Sequence, residues 1–469
     1  MTLTSKIPSE ESASQDVEKL SQGSKKQPET EEPSGVMRWL VVLACFIYNI
    51  TCWGANSSYA IYIEQYINNG TFEGGNELHF SAIGGIAFGA GLLFAPIITW
   101  LYRRFSVQAV IAIGIVFQAV AFMLAAYSKK LWQLYLTQGV LLSFGLAFMF
   151  IPSITLIPFW FYKQRALAMG IATSGSGIGG IAFNLGMQRM IQVRSVKWAL
   201  IVQFIVCFVL NCIALVFTRT RESTGSKNAV NRIQLFDKQL FSNIGFWLLM
   251  GWVSFTMLGY VVVLYTLSAF TVGLGYSARQ GSYVSCMISV GWTVGRPMVG
   301  YLSDRFGVLS VGTIVHLVLA LLCWAMWIPC SNLATAIAFG LLQGIFMGTI
   351  WATVGSTVAR VVGLKKMSVT FSFVWIFVAA FGMVSPIIGL KLSSEGSDGS
   401  DYVNTAIFSG FGYFGGALCQ WLLRGYIIAR DKLIRSEKVE NDANELHYQT
   451  KPVEVFKSLF QVTNLPRKV

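Results

Sequence analysis

The run from Gly281 to Ser303 carries no charge except at Arg296. A guanidinium stays protonated at neutral pH, and placing one at the centre of a bilayer costs at least about 2.5 kcal/mol. Such a residue must face a water-filled cavity or a partner, and its fork of donors suits a carboxylate or another anionic group. Arg296 is therefore the first candidate for binding an anion. Eight residues later, about 12 Å along a helix, the run closes on Asp304-Arg305, and another apolar run opens just after Lys163 and Arg165. Charges at helix ends can pair in one conformation and release in another, so these four are candidates for gating. Further polar residues inside apolar runs could line a path for a solute: Asn49, Asn56 and Tyr59, then Asn184, then Tyr260 and Tyr265. Trp351 and Trp375 could stack on a planar solute, although packing is the commoner use of such rings. His316 is expected to be packed and hydrogen-bonded.

The chemistry that is missing narrows the field. Between residues 37 and 430 the nine carboxylates all fall in loops or at helix ends. Proton-coupled carriers usually hold an acidic residue near the midplane of the membrane, so its absence weakens proton symport. No paired Asp, Ser–His arrangement or metal-ligand cluster is visible in the apolar runs, so neither an enzyme, a cofactor nor a metal is expected. The eight cysteines lie within or at the ends of apolar runs without zinc spacing and read as packing residues. Gly175-Ser176-Gly177-Ile178-Gly179-Gly180 lacks the ending of a phosphate loop and follows a helix start. It reads as a small-residue surface along which helices approach closely.

Positioning these residues falls to membrane-spanning helices. The chain has 469 residues, 54% hydrophobic and only 12% charged, with mean hydropathy +0.58; soluble domains carry about 25% charged residues. Apolar runs repeatedly exceed the ~18 residues that mark a span. Twelve are expected, from 38–64 to 404–428, which makes an all-α membrane protein of two six-helix bundles. The expected organisation is a disordered N-tail over 1–36, a first bundle over 37–218, a polar central loop over 219–240, a second bundle over 241–430 and a C-tail over 431–469. The net charge of +13 comes from the body, where Lys and Arg sit in short loops. No dense basic patch with interleaved aromatics appears, which argues against nucleic acid; the expected partners are a small solute and membrane lipids. Sixteen cations flank the spans on one side against seven on the other, which predicts both termini in the cytosol. The loop 65–78 has no Lys or Arg and carries the sequon Asn69-Gly70-Thr71, a weak sign that it faces away from the cytosol. Plasma and vacuolar membranes both fit.

An internal repeat supports duplication. Leu101 to Val107 and Leu302 to Val308 agree at four of seven positions at an offset of 201, after the second and eighth spans. The second copy lies in Gly295-Arg296-Pro297-Met298-Val299-Gly300-Tyr301-Leu302-Ser303-Asp304-Arg305-Phe306-Gly307, which resembles the GxxxDRxG cytoplasmic loop signature of the major facilitator superfamily. In the first copy the Asp and Gly are lost, so charge gating should be asymmetric. The stretch Trp160 to Gly175 is similar to the monocarboxylate-transporter signature that enters the fifth span, matching at Phe161, Lys163, Arg165, Leu167, Ala168, Gly170, Ala172 and Gly175. With Trp53 to Tyr62 and Gln420 to Arg430, the chain from about 38 to 430 resembles the fungal branch of monocarboxylate-transporter homologues, close to the yeast monocarboxylate permeases.

That resemblance implies the major facilitator fold with a central cavity between the two bundles. It also exposes departures. Of the opening motif of lactate-type carriers only Gly35 and Trp39 remain; Ser57 stands where they carry a lysine; and Trp292 stands where an Asp precedes the eighth-span arginine by one turn. The expectation is a secondary transporter of a small organic solute, a monocarboxylate in the first reading, by alternating access, with uniport or exchange at least as favoured as proton symport. The alternatives are a carrier of a larger or neutral solute such as a flavin-like vitamin, and a non-transporting nutrient sensor.

Overall fold

The structure is a computed structural model, and it describes residues 35–161, 163–220, 238–393, 402–436 and 450–461. The N-tail expected to be disordered, 1–36, falls almost wholly outside these residues, as does most of the central loop. The described chain is helical, without strands. Eleven units are long and apolar enough to cross a membrane: α1 Gly35–Ile67, α2 (Leu78–Leu93 and Ala95–Arg104, bent by 48°), α3 Val107–Ala126, α4 Leu131–Trp160, α5 Arg165–Val193, α6 Val196–Phe217, α7 Ile244–Gly273, α9 Val308–Trp327, α10 Leu333–Gly363, α11 Lys366–Gly389 and α12 Val403–Ile434. The twelfth expected span is α8, Ala278–Phe306, which has the length but is more polar because it carries Arg279, Arg296, Asp304 and Arg305. The helix begun by α12 runs on to Ser436, beyond the boundary expected at 430, because Asp431 is buried there against Arg360. A short helix, α13 Pro452–Leu459, follows within the expected C-tail.

The helix starts are written into the sequence. Asn76, Ser106, Ser195, Asn243, Ser277 and Asn332 each accept a backbone N–H in the first turn that follows, which satisfies donors that a helix start leaves orphaned. Between α8 and α9 the turn is made by Gly307 at φ 102°, a backbone conformation that side chains resist. Its counterpart between α2 and α3 is Ser106, which caps instead, so the two repeat copies solve the same turn differently.

The packing repeats with an offset of six helices. In the first half α1 packs on α5 and α6, α3 on α4 and α6, and α2 on α4; in the second α7 packs on α11 and α12, α9 on α10 and α12, and α8 on α10. Across the halves the principal contacts are α5 with α8 and α2 with α11, which exchange under the same operation. Glycines allow the α5–α8 approach: a Cβ at Gly170 would lie 2.3 Å from the Arg296 carbonyl oxygen, and one at Gly300 would lie 2.4 Å from that of Ala166.

Span one is not a uniform helix. Its turn Ile50–Gly54 is π-helical, and the loosened carbonyls are met by side chains from other helices. Gln118 of α3 donates to the Thr51 carbonyl at 2.7 Å, and Gln203 of α6 donates to that of Ala55 at 3.0 Å. Asn211 links the two partners, accepting from the Thr51 hydroxyl and donating to Gln118. Such bulges re-aim the residues they contain; here one of them is Trp53.

Candidate functional site: a buried arginine beneath an aromatic cluster

Arg296 sits on α8, one residue before Pro297, and is 3% exposed. One terminal nitrogen donates to the Thr173 carbonyl and to the Ser176 hydroxyl, the latter at 2.6 Å, both on α5. The guanidinium carbon lies 4.8 Å from the centre of the Trp292 ring one turn earlier. The side-chain stem rests on Gly348 of α10, where a Cβ would come within 2.6 Å of the Arg296 Cγ. Tyr260 of α7 lies within electrostatic range of Arg296 and meets the Trp351 ring edge-on, with centroids 6.0 Å apart. No carboxylate among the described residues pairs with this cation, and its Nε has no partner.

Trp292 therefore occupies the place where the resemblance implies an acid. A desolvated cation–π contact contributes about 2 kcal/mol and neither takes up nor releases a proton. Arg296 thus keeps its full charge in a buried setting, held by neutral partners only.

The aromatic cluster extends from that point across both halves. Tyr260 stacks on Trp292 with planes 6° apart, and Trp351 stacks on Trp375 with planes 10° apart, each at 6.0 Å between centroids. Trp351 also touches Trp53 of α1 and Phe150 of α4. Toward the Asp304 end the halves are closed. The Asp304 carboxylate accepts from the backbone N–H groups of Ala166 at 3.1 Å and Leu167 at 2.8 Å, at the start of α5, and Ser372 of α11 bonds Thr99 of α2. Toward the other end lies Tyr265, which is 46% exposed and within electrostatic range of Tyr59 of α1 in the opposite half. A side chain both near the opposite half and accessible lines a cleft, so the space between the halves opens on the Tyr265 side, with the aromatic cluster as its floor.

The residues singled out from the sequence divide accordingly. Arg296 and Tyr260 meet at the floor, and Tyr265 lines the cleft above it. Asn184 donates to Ser57 at 3.4 Å, joining α5 to α1, and the neighbouring Asn56 has an unpartnered carbonyl oxygen. Asn49 donates to its own helix at Cys45, and Tyr59 donates to the Phe80 carbonyl, so both are engaged in packing. Asp304 lies within electrostatic range of Arg165 at the closed end, but its hydrogen bonds go to backbone amides, where sequence reasoning expected a cation partner. Lys163 and Arg305 are exposed beside it, Asn69 is exposed in the turn after α1, and His316 is a packed core side chain bonded to Gly312, Trp252 and Thr256. Sequence reasoning missed Ser176, Thr173, Trp53 and Phe150; for Trp292 the signal was available, since it precedes Arg296 by one helical turn.

Comparison with known proteins agrees with this architecture. The profile described as Major Facilitator Superfamily matches residues 41–386. The chain belongs to that superfamily. "Probable transporter MCH2" of Saccharomyces cerevisiae is 58% identical over 440 residues, covering 94% of this chain and 93% of its own. The more distant "Riboflavin transporter MCH5" of the same yeast is 23% identical over 86% of this chain and 81% of its own. Among solved structures, the superfamily transporter FucP in its outward conformation aligns with a TM-score of 0.59 over 82% of this chain and 98% of its own, at 14% identity, a likeness of fold alone. The protein is an integral membrane secondary transporter of the major facilitator type.

Proposed function

We propose that the protein carries a small organic anion, with monocarboxylates as the first class, by alternating access between the two six-helix halves, 37–218 and 241–430. One observation carries the proposal: Arg296 is a buried full charge whose partners among the described residues are all neutral. An uncompensated buried cation is costly, and a carboxylate arriving from the cleft supplies the missing charge. Asn56, Asn184, Tyr260 and Tyr265 shape the route from the Tyr265 side. The contact of Asp304 with the start of α5 beside Arg165, flanked by Lys163 and Arg305, is the gate that must open for release. With no carboxylate near the middle of a span to carry a proton, uniport or exchange fits better than proton symport. Basic loops support both termini in the cytosol, in the plasma or vacuolar membrane.

The test is flux into proteoliposomes containing the purified full chain, over a panel of monocarboxylates and neutral vitamins. The expected result is saturable uptake of an acid that Arg296→Gln abolishes and Arg296→Lys retains in part. Normal uptake of that acid by Arg296→Gln refutes the role of the residue. A second reading, a neutral planar solute of flavin type, draws support from the aromatic floor and from what the name of the yeast relative MCH5 says of that protein. Binding without movement under any gradient would turn the argument to a nutrient sensor.

A further inference from the structure

The floor of the cleft is built from six rings, Trp53, Phe150, Tyr260, Trp292, Trp351 and Trp375, on six different helices. Trp351 alone has four ring neighbours, on α1, α4, α7 and α11, each with centroids 6.0 Å away. Such a cluster separates the two ends of the path, yet ordinary packing would not choose this composition. All four indole N–H groups of the floor, those of Trp53, Trp292, Trp351 and Trp375, find no acceptor among the described residues; Trp292, Trp351 and Trp375 are more than nine-tenths buried. Leucine or phenylalanine would pack a purely structural core without orphaned donors. The unengaged polar atoms at the floor are thus donors, beside a cation, on flat π surfaces.

We infer that the anion taken at Arg296 carries a flat conjugated group, so that the preferred class is aryl and other conjugated carboxylates rather than small aliphatic hydroxy acids. This rests on the proposal that Arg296 binds a carboxylate. The carboxylate meets the guanidinium and its unpartnered Nε, and the conjugated plane exchanges ring–ring contacts within the cluster for ring–solute contacts. The carboxylate oxygens are acceptors only, which matches the idle indole N–H groups. A small aliphatic hydroxy acid offers no flat face to these rings.

The test is calorimetric binding to the purified full chain at pH 7.5, with benzoate, cyclohexanecarboxylate, lactate and benzyl alcohol. Cyclohexanecarboxylate has the same charge and at least as much apolar surface as benzoate, so a preference for benzoate reports the flat ring and not hydrophobicity. Benzoate should bind about tenfold tighter than cyclohexanecarboxylate, equivalent to ~1.4 kcal/mol. Trp292→Leu should bring that ratio close to one, and Trp292→Phe, which keeps a ring, should hold it. Equal or weaker binding of benzoate, or binding of neither acid, overturns the inference. Benzyl alcohol binding as tightly as benzoate in wild type and in Arg296→Gln would instead remove the carboxylate reading, with the ring preference intact.

Discussion

Replacement of Gly170 by alanine tests whether the α5–α8 contact holds the Asp304 end shut. The new Cβ would lie 2.3 Å from the Arg296 carbonyl oxygen, 2.9 Å from its carbon and 3.2 Å from the Pro297 Cα. All three are backbone atoms, so no rotamer change relieves the clash, and ordinary contact requires the helices to separate by about 1 Å. Overpacking of this kind costs about 1–3 kcal/mol. It exceeds the 0.5–1 kcal/mol that alanine gains over glycine within a helix. The closed arrangement should therefore lose population against the open one by about five- to 150-fold. Gly186, on the same helix, is the control: nothing lies within 4 Å of a Cβ there, so Gly186→Ala keeps the helix gain without the clash. Spin labels at the exposed positions 163 and 305, read by pulsed electron resonance, should show a longer distance in Gly170→Ala and the wild-type distance in Gly186→Ala. Identical distance distributions in the two variants would refute the claim that close backbone contact sets the closed state.

Two further perturbations probe what holds the site in place. Gln118→Leu removes the donor to the Thr51 carbonyl and the acceptor for Asn211; with interhelical bonds in membranes averaging ~0.6 kcal/mol and orphaned buried groups costing about 1–3, thermal unfolding in detergent should fall by several degrees, and an unchanged midpoint would mean that the π-helical turn does not depend on this bond. Arg424 donates to the Leu459 and Gln461 carbonyls at the end of α13 and to Ser310 of α9; Arg424→Leu should release α13 and speed tryptic cleavage at Lys457, whereas equal cleavage rates would show that the contacts of Leu459 with Gly425 and of Phe460 with Trp421 suffice.

How much of this was legible beforehand depends on the range of the interaction. Span lengths, helix starts and the isolation of Arg296 are local properties of hydropathy, capping chemistry and charge, and a few consecutive residues encode each of them. The repeat at an offset of 201 likewise anticipated the six-helix periodicity of the packing. Local signals misjudged the end of α12, because the partner that lets Asp431 be buried is Arg360, seventy-one residues away. The break in span one was equally hidden: Ile50 to Gly54 contain no proline, and their π-helical turn answers to Gln118, Gln203 and Asn211 on two other helices.

The sequence by itself determined that this is an all-helical membrane carrier with an isolated arginine and no acid near the middle of an apolar run, since the cost of charge in a bilayer makes those facts readable from residue type and position alone. Only the tertiary structure decided what that cation meets. Hydropathy scores Trp53, Phe150, Trp292, Trp351 and Trp375 as apolar residues on separate helices, with no sign that they share one floor or that some of their N–H groups lack acceptors. Ring contacts join positions up to three hundred residues apart, and their geometry is fixed by glycine-mediated helix approach, which no single segment encodes. The same holds for Asp304, whose charge was evident from the sequence but whose partners, the first free amides of α5, exist only once two helices from opposite halves meet.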